Sequence, residues 1–457
     1  MPKVVMKLYK KVNKLYKKFS KLPAWFTVVS ILASLVLFPN INIAKANELT
    51  DLQSVSATET KTANVYSIVA VGDSVTAGYE HGFTAQSVPY GYVERVYEQA
   101  LFHGLRAGYA NYALLGLKTE GLANQLEAAA DGTAVTADDI QPKLSDPRAQ
   151  QIAASTAQLG EALKTAQLVV LTIGGNDFLP IMESLQNGGG HDEQAAATLA
   201  AGLEDYKTQL ARALASITKL NPDAKIEIAD QYLPVPAPVQ IGNTTVALFP
   251  EDARQFLLGA AKELREALDS VTAGLQQNGY NVSVVPVAAA FEGHELQYTS
   301  IAAKDIHPTQ AGYDAMGKAF ANAIWGDYRT LSPQSAQAPI AVVVNGKQLI
   351  TPYPPDLKEN RTFVAMRDIT DALGAKLDWN NANQTATVQL NGNEVEFKIG
   401  SSTVLVNGKA TTLNAPAPYL RTIGKESKTY LPLAALSEGL GLQTVYRSTL
   451  QAAFINS

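Results

Sequence analysis

The chain has no cysteine in 457 residues. That excludes a disulfide framework, a thiolate metal site, a cysteine nucleophile and a lipid-anchoring lipobox cysteine. Histidine is nearly as scarce, with 5 residues, and His81, His103, His191 and His294 have no metal-ligand spacing. The longest stretch without acidic residues is at the N-terminal end. Residues 1–46 hold nine lysines and no Asp or Glu, which leaves 28 basic against 42 acidic residues for the remainder. So acidic a body argues against nucleic acid as a partner, because phosphate binding needs a basic surface.

Long hydrophobic runs are also rare. The one that stands out is Ala24 to Phe38, interrupted only by Thr27, Ser30 and Ser34. Eight lysines between Lys3 and Lys21 precede it, and the small-residue pattern Ala44-Lys45-Ala46 follows. A run of about 15 residues falls short of the roughly 20 that span a bilayer. The pattern predicts a cleaved signal peptide over 1–46, with a retained N-terminal anchor as the alternative. Either reading puts the body outside the cytoplasmic membrane, as a secreted or envelope-associated protein.

What remains is apolar enough for sizeable cores, at 46% hydrophobic and 17% charged. Residues 47–64 are a polar lead-in. From there, short β-branched runs alternate with Ala-, Leu- and Glu-rich helical segments. Strands are expected at Val65–Val71, Leu168–Ile173, Lys225–Ala229 and Val282–Val287. Helices are expected at Pro147–Thr165, Ala195–Leu220, Pro250–Gln277 and Ala319–Trp325. This alternation predicts a parallel sheet covered on both faces, with chemistry at the carboxyl ends of its strands. The first domain is expected over 65–328. Residues 329–339 read as a linker, and 340–457 as a smaller α+β module. Within that module Arg361-Thr362-Phe363-Val364 through Leu373-Gly374 is echoed 67 residues later by Lys428-Thr429-Tyr430-Leu431 through Leu440-Gly441.

Three motifs sit where such a fold would use them. Gly72-Asp73-Ser74-Val75-Thr76-Ala77-Gly78 follows a strand, so Ser74 can sit on a tight turn with its own N–H facing a developing oxyanion; a helix-capping serine is the plainer reading. Gly174-Gly175-Asn176-Asp177 follows another strand and offers a side-chain amide donor, or simply a turn. Asp305-Ile306-His307-Pro308 supplies a base with a carboxylate beside it.

Together these residues resemble the GDSL or SGNH hydrolase family. The first block is Gly72-Asp73-Ser74 with Thr76 and Gly78, and Asn111 to Gly116 is similar to the second. Gly174, Asn176 and Asp177 are similar to the third, and His307-Pro308 to the last. The resemblance covers about 65–325 and implies a flavodoxin-like three-layer α/β/α sandwich. It also implies Ser74 as nucleophile, His307 as base, and an oxyanion hole from the Ser74 and Gly116 N–H groups and the Asn176 side chain. No metal or organic cofactor follows from it. The family usually has its Asp three residues before the histidine, where Lys304 stands here. Asp305 is therefore the expected orienting carboxylate, and a Ser–His dyad the alternative.

Residues 340–451 resemble the copper amine oxidase N-terminal-like domain, carried by Arg361 to Arg367 and Leu373 to Trp379. Ala365 replaces the usual proline in the first repeat, and Ala434 the arginine in the second. No copper ligands are present, since His and Cys are absent after residue 307. The module is expected to serve as a stalk, a wall-associating unit or a docking unit. The body as a whole is expected to be a secreted ester hydrolase of lipase or esterase type acting on a small-molecule, lipid or glycan ester. A polysaccharide or cell-wall O-acetyl esterase and a non-catalytic envelope scaffold are the alternatives. The inserts Ala128–Gln150, Gly188–His191 and Tyr232–Pro250 are candidates for pocket walls or lids, or plain surface loops.

Overall fold

The computed structural model describes residues 65–84, 86–186, 193–241, 244–333 and 338–457. The expected signal, the lead-in and the Gly188–His191 loop lie outside the described residues.

Five strands form the central sheet: β1 (Tyr66–Gly72), β2 (Ala107–Asn111), β3 (Leu168–Thr172), β4 (Lys225–Ala229) and β5 (Val282–Val285). Their order is β2-β1-β3-β4-β5 and every neighbouring pair is parallel. This is the flavodoxin-like order, with the switch point between β1 and β3. Successive side chains of a strand face opposite sides, so a strand covered on both faces must be apolar throughout. Ile68 and Ala70 of β1 join Leu168 and Val170 of β3 in one cluster, while Val69 and Val71 join Val169 and Leu171 in another.

Seven longer helices flank the sheet: α1 (Tyr92–Phe102), α2 (Thr119–Ala130), α3 (Thr156–Lys164), α4 (Gly175–Gln186), α5 (Glu193–Leu220), α6 (Glu251–Gln277) and α7 (Gln310–Trp325). Residues of α2, α3, α5 and α6 cover the Val69 face, and residues of α1 and α7 the Ile68 face. The expected helix over 147–165 is two helices, Ala149–Ala154 and Thr156–Lys164, because Ser155 turns its hydroxyl back onto the Ile152 carbonyl at 2.8 Å. Strand β2 was not foreseen. Its sequence, Ala-Gly-Tyr-Ala-Asn, has weak β-propensity, and it is ordered by pairing with β1 at the sheet edge.

The C-terminal region is mostly antiparallel sheet with two short helices, Met366–Leu373 and Leu433–Gly439. Asn345-Gly346, Asn391-Gly392 and Asn407-Gly408 all have positive φ at both residues, the backbone that two-residue hairpins require. The 329–339 segment separates the two regions in sequence but not in packing. Ala341, Val343, Ala452 and Phe454 belong to the same apolar cluster as Ile68, Tyr92 and Leu101. Among the described residues no helix is long and apolar enough to cross a membrane.

Candidate active site

The loops that leave β1, β2 and β3 and the turn before α7 meet at the carboxyl end of the sheet. Gly72 ends β1 at φ 127°, and a Cβ there would lie 2.2 Å from the Thr172 carbonyl oxygen of β3. Only glycine permits that approach, and it brings the Ser74 turn against β3. Asp73 N–H donates to Thr172 O at 3.1 Å, and the Thr172 hydroxyl donates to Asp73 Oδ1 at 2.6 Å. Thr76 Oγ1 accepts from Thr172 N–H at 2.9 Å and lies 2.8 Å from the Tyr92 hydroxyl. The turn carrying the serine is therefore fixed from two sides, by β3 and by α1. Burial pushes the Asp73 carboxyl up to about 6, against the Thr172 and Val75 hydrogen bonds.

Ser74 Oγ lies 2.8 Å from His307 Nε2, and His307 Nδ1 lies 2.6 Å from Asp305 Oδ1. A carboxylate only accepts, so Nδ1 carries the proton and Nε2 accepts from the serine hydroxyl. Asp305 Oδ1 also accepts the His307 backbone N–H at 2.9 Å. The spacing of two residues works because Lys304 adopts a left-handed backbone, φ 64°, and closes the turn. Ser300 N–H donates to His307 O at 2.9 Å, and Asp305 N–H to Ser300 O at 3.2 Å. Burial alone would raise the Asp305 pKa. The His307 ring and backbone hydrogen bonds, the His307 charge and a bond from His81 bring it well below the ordinary carboxylate value. The Tyr79 ring packs edge-on against His307, with centroids 4.5 Å apart.

The expected oxyanion donors are held from another side. Gly116 has φ 76°, a conformation that favours glycine. Neither its N–H nor that of Ser74 hydrogen-bonds to another backbone group among the described residues. Asn176, on the first turn of α4, donates one amide hydrogen to Leu117 O at 2.9 Å and has a second to give. Its neighbour Asp177 accepts from the Thr119 hydroxyl at 3.0 Å and backbone N–H at 3.2 Å. Burial pushes the Asp177 carboxyl up to about 6 despite those bonds.

The insert over 128–150 has a part that the sequence did not reveal: it clamps this loop. Gln141 Nε2 donates to Gly116 O at 3.0 Å, and Gln141 Oε1 accepts from Lys118 N–H at 2.8 Å. Asp146 accepts from Leu115 N–H at 2.9 Å and pairs with Arg148, which donates to Ala113 O at 3.1 Å. His81 also went unassigned in the sequence, yet its Nδ1 lies 3.0 Å from Asp305 Oδ2. No local pattern marks these residues, because each acts on a distant segment. Among the described residues no cluster of three or more His, Asp or Glu could hold a metal ion.

The profile of the GDSL-like lipase/acylhydrolase family matches residues 70–315, and that of the copper amine oxidase N-terminal domain matches 343–455. No curated protein matches the chain significantly. Solved structures do. A lipase from a goat rumen metagenome is 20% identical, covering 58% of this chain and 100% of its own, at a TM-score of 0.38. Phospholipase A1 from Streptomyces albidoflavus is 20% identical over 57% of this chain and 98% of its own, at 0.37. An acetyl xylan esterase from Geobacillus stearothermophilus is 16% identical over 59% and 97%, at 0.32.

Proposed function

This chain belongs to the GDSL-like lipase/acylhydrolase family, and on that premise we propose that it hydrolyses carboxylic esters through an acyl-enzyme on Ser74. The observation that carries the reading is the unbroken line from Ser74 Oγ through His307 to Asp305, at 2.8 and 2.6 Å. His307 takes the hydroxyl proton as Ser74 attacks the ester carbonyl. Asp305 holds the ring in the required tautomer and stabilises the imidazolium. The Ser74 and Gly116 N–H groups and the second Asn176 amide hydrogen receive the tetrahedral oxyanion. The imidazolium then protonates the leaving alcohol. Water, deprotonated by the same ring, cleaves the acyl-enzyme.

An apolar cluster lies beside the base, and we read it as favouring an acyl group longer than acetyl. Ile306, next to His307, packs with Leu179 and Leu233 against Met182, Leu185, Val235 and Phe249. We take the protein to act outside the cytoplasmic membrane, on the strength of the lysine-rich leader. The test is hydrolysis of p-nitrophenyl esters from acetyl to palmitoyl by the full chain and by Ser74→Ala. Wild-type activity that rises from acetyl toward longer acyl chains and vanishes in the variant is expected. A sharp acetyl preference would instead favour a glycan O-acetyl esterase, and activity surviving in Ser74→Ala would overturn the serine mechanism.

A further inference from the structure

Asp305 has two oxygens, and the Ser–His–Asp line uses one of them. We propose that His81 is a positioning residue of this site: its Nδ1–H holds Asp305 Oδ2, so that two imidazoles share one carboxylate and His307 sits at the end of a His81–Asp305–His307–Ser74 chain. The inference rests on the site proposed above.

The geometry behind it is built. His81 Nδ1 lies 3.0 Å from Asp305 Oδ2, while Oδ1 is taken by the His307 ring at 2.6 Å and its backbone N–H at 2.9 Å. Because the carboxylate only accepts, His81 carries its proton on Nδ1 and turns Nε2 away. The segment bearing His81 is anchored on both sides of the ring. Tyr79 N–H donates to Ser74 O at 3.0 Å, and Tyr79 O accepts from the Tyr313 hydroxyl at 2.6 Å. Glu80 accepts from Gln310 Nε2 on α7, and Phe83 N–H donates to Glu80 O at 3.1 Å. These bonds tie the segment to the nucleophile turn and to α7, and they present His81 to a carboxylate 224 residues away in the chain.

The arrangement has two consequences. The His81 bond stops Asp305 from rotating about its side-chain torsion, which keeps Oδ1 in line with His307. It also couples the two rings electrostatically. A proton on one opposes a proton on the other, because both draw on the same negative charge. The other titratable groups around the pair are Tyr79 and Glu80 on the His81 segment, Tyr232 after β4, Tyr313 on α7, and Asp73 beneath His307. Lys304 in the same turn as Asp305 is exposed.

The test compares His81→Ala, His81→Gln and Ser74→Ala with wild type in the full chain. Two readouts are followed from pH 5 to 9: hydrolysis of p-nitrophenyl acetate and the rate at which a fluorophosphonate labels Ser74. His81→Ala is expected to lower kcat and the labelling rate about 5- to 10-fold, with KM changed less than about twofold. His81→Gln, a neutral donor, is expected to recover most of that loss. His81 variants that match wild type at every pH, or a glutamine that rescues nothing, would overturn the proposal while leaving Ser74 in place. Absence of Ser74 labelling in wild type would overturn both.

Discussion

The two copies of the C-terminal repeat have the same elements and face different surroundings. In copy one the strand Arg361–Ala365 and helix Met366–Leu373 lead into the hairpin Lys376–Asn380 and Thr385–Leu390. In copy two Glu426–Pro432 and Leu433–Gly439 lead into Gln443–Arg447 and Ala452–Asn456, again 67 residues on. The inward faces are alike: Ala386 and Val388 share one core with Ala453 and Ile455. The outward faces are not. Copy one shows Lys376, Asp378, Asn380, Thr387 and Gln389 where copy two has Gln443, Val445, Arg447, Phe454 and Asn456.

Each of those changes meets the hydrolase region. Phe454 stacks edge-to-face on Phe102 of α1, with centroids 4.9 Å apart. Arg447 pairs with the buried Glu98 at 2.9 Å. Gln443 grips Ala107 of edge strand β2 by both backbone groups, at 2.9 and 2.7 Å. Asn456 donates to Leu101 O at 3.1 Å and Leu105 O at 2.8 Å. One face of a duplicated hairpin, altered at alternate positions, has thus become a docking face. It also satisfies both backbone groups of Ala107, at the start of an edge strand that would otherwise offer them unpaired. The module is therefore packed against the hydrolase region through a shared apolar cluster.

Restoring copy-one residues to copy two should break this contrast in graded steps, read by thermal and urea unfolding. Phe454→Thr empties the centre of the interface and should cost about 4 kcal/mol. Arg447→Asn leaves the Glu98 carboxylate buried without its cation and should cost about 2–3 kcal/mol. The active-site end offers a different kind of buried carboxylate, since Asp73 and Asp177 are hydrogen-bonded by neutral donors and both are raised to about 6. A raised acid favours the folded state below its unfolded pKa of about 4 and loses that contribution as pH rises through about 6. Stability should therefore fall between pH 4 and pH 6 by up to about 2 kcal/mol from each group, and Asp177→Asn should flatten its share of that slope. Gln443→Lys should cost about 1 kcal/mol through the lost grip on Ala107. Thr387→Ser, on the unoccupied face of copy one, should change stability by less than about 0.5 kcal/mol.

The sequence was most legible where chemistry follows a strand. Ser74 and Asn176 each stand within a few residues of an apolar run, and His307 before a helix, so motif and sheet pattern agreed. The docking face was hidden because its code has period two and emerges only when Thr387 is set against Phe454 and Lys376 against Gln443. The clamp by Gln141, Asp146 and Arg148 and the bond from His81 were hidden for another reason. Each joins segments whose meeting depends on the tertiary fold, and a polar side chain in a loop does not announce its partner.

The bonds from Asn456 to Leu101 and Leu105 span 355 and 351 residues. Helix α1 sets Tyr92 against the nucleophile turn, yet its apolar flank is completed by a strand made more than 300 residues later. During synthesis, α1 and β2 must wait, partly uncovered, until residue 456 arrives. Contacts of such separation pay their loop-closure entropy late, so the catalytic region reaches its final form only after nearly all of the chain has emerged. The duplicated hairpin thereby sets the timing of folding for a region that precedes it.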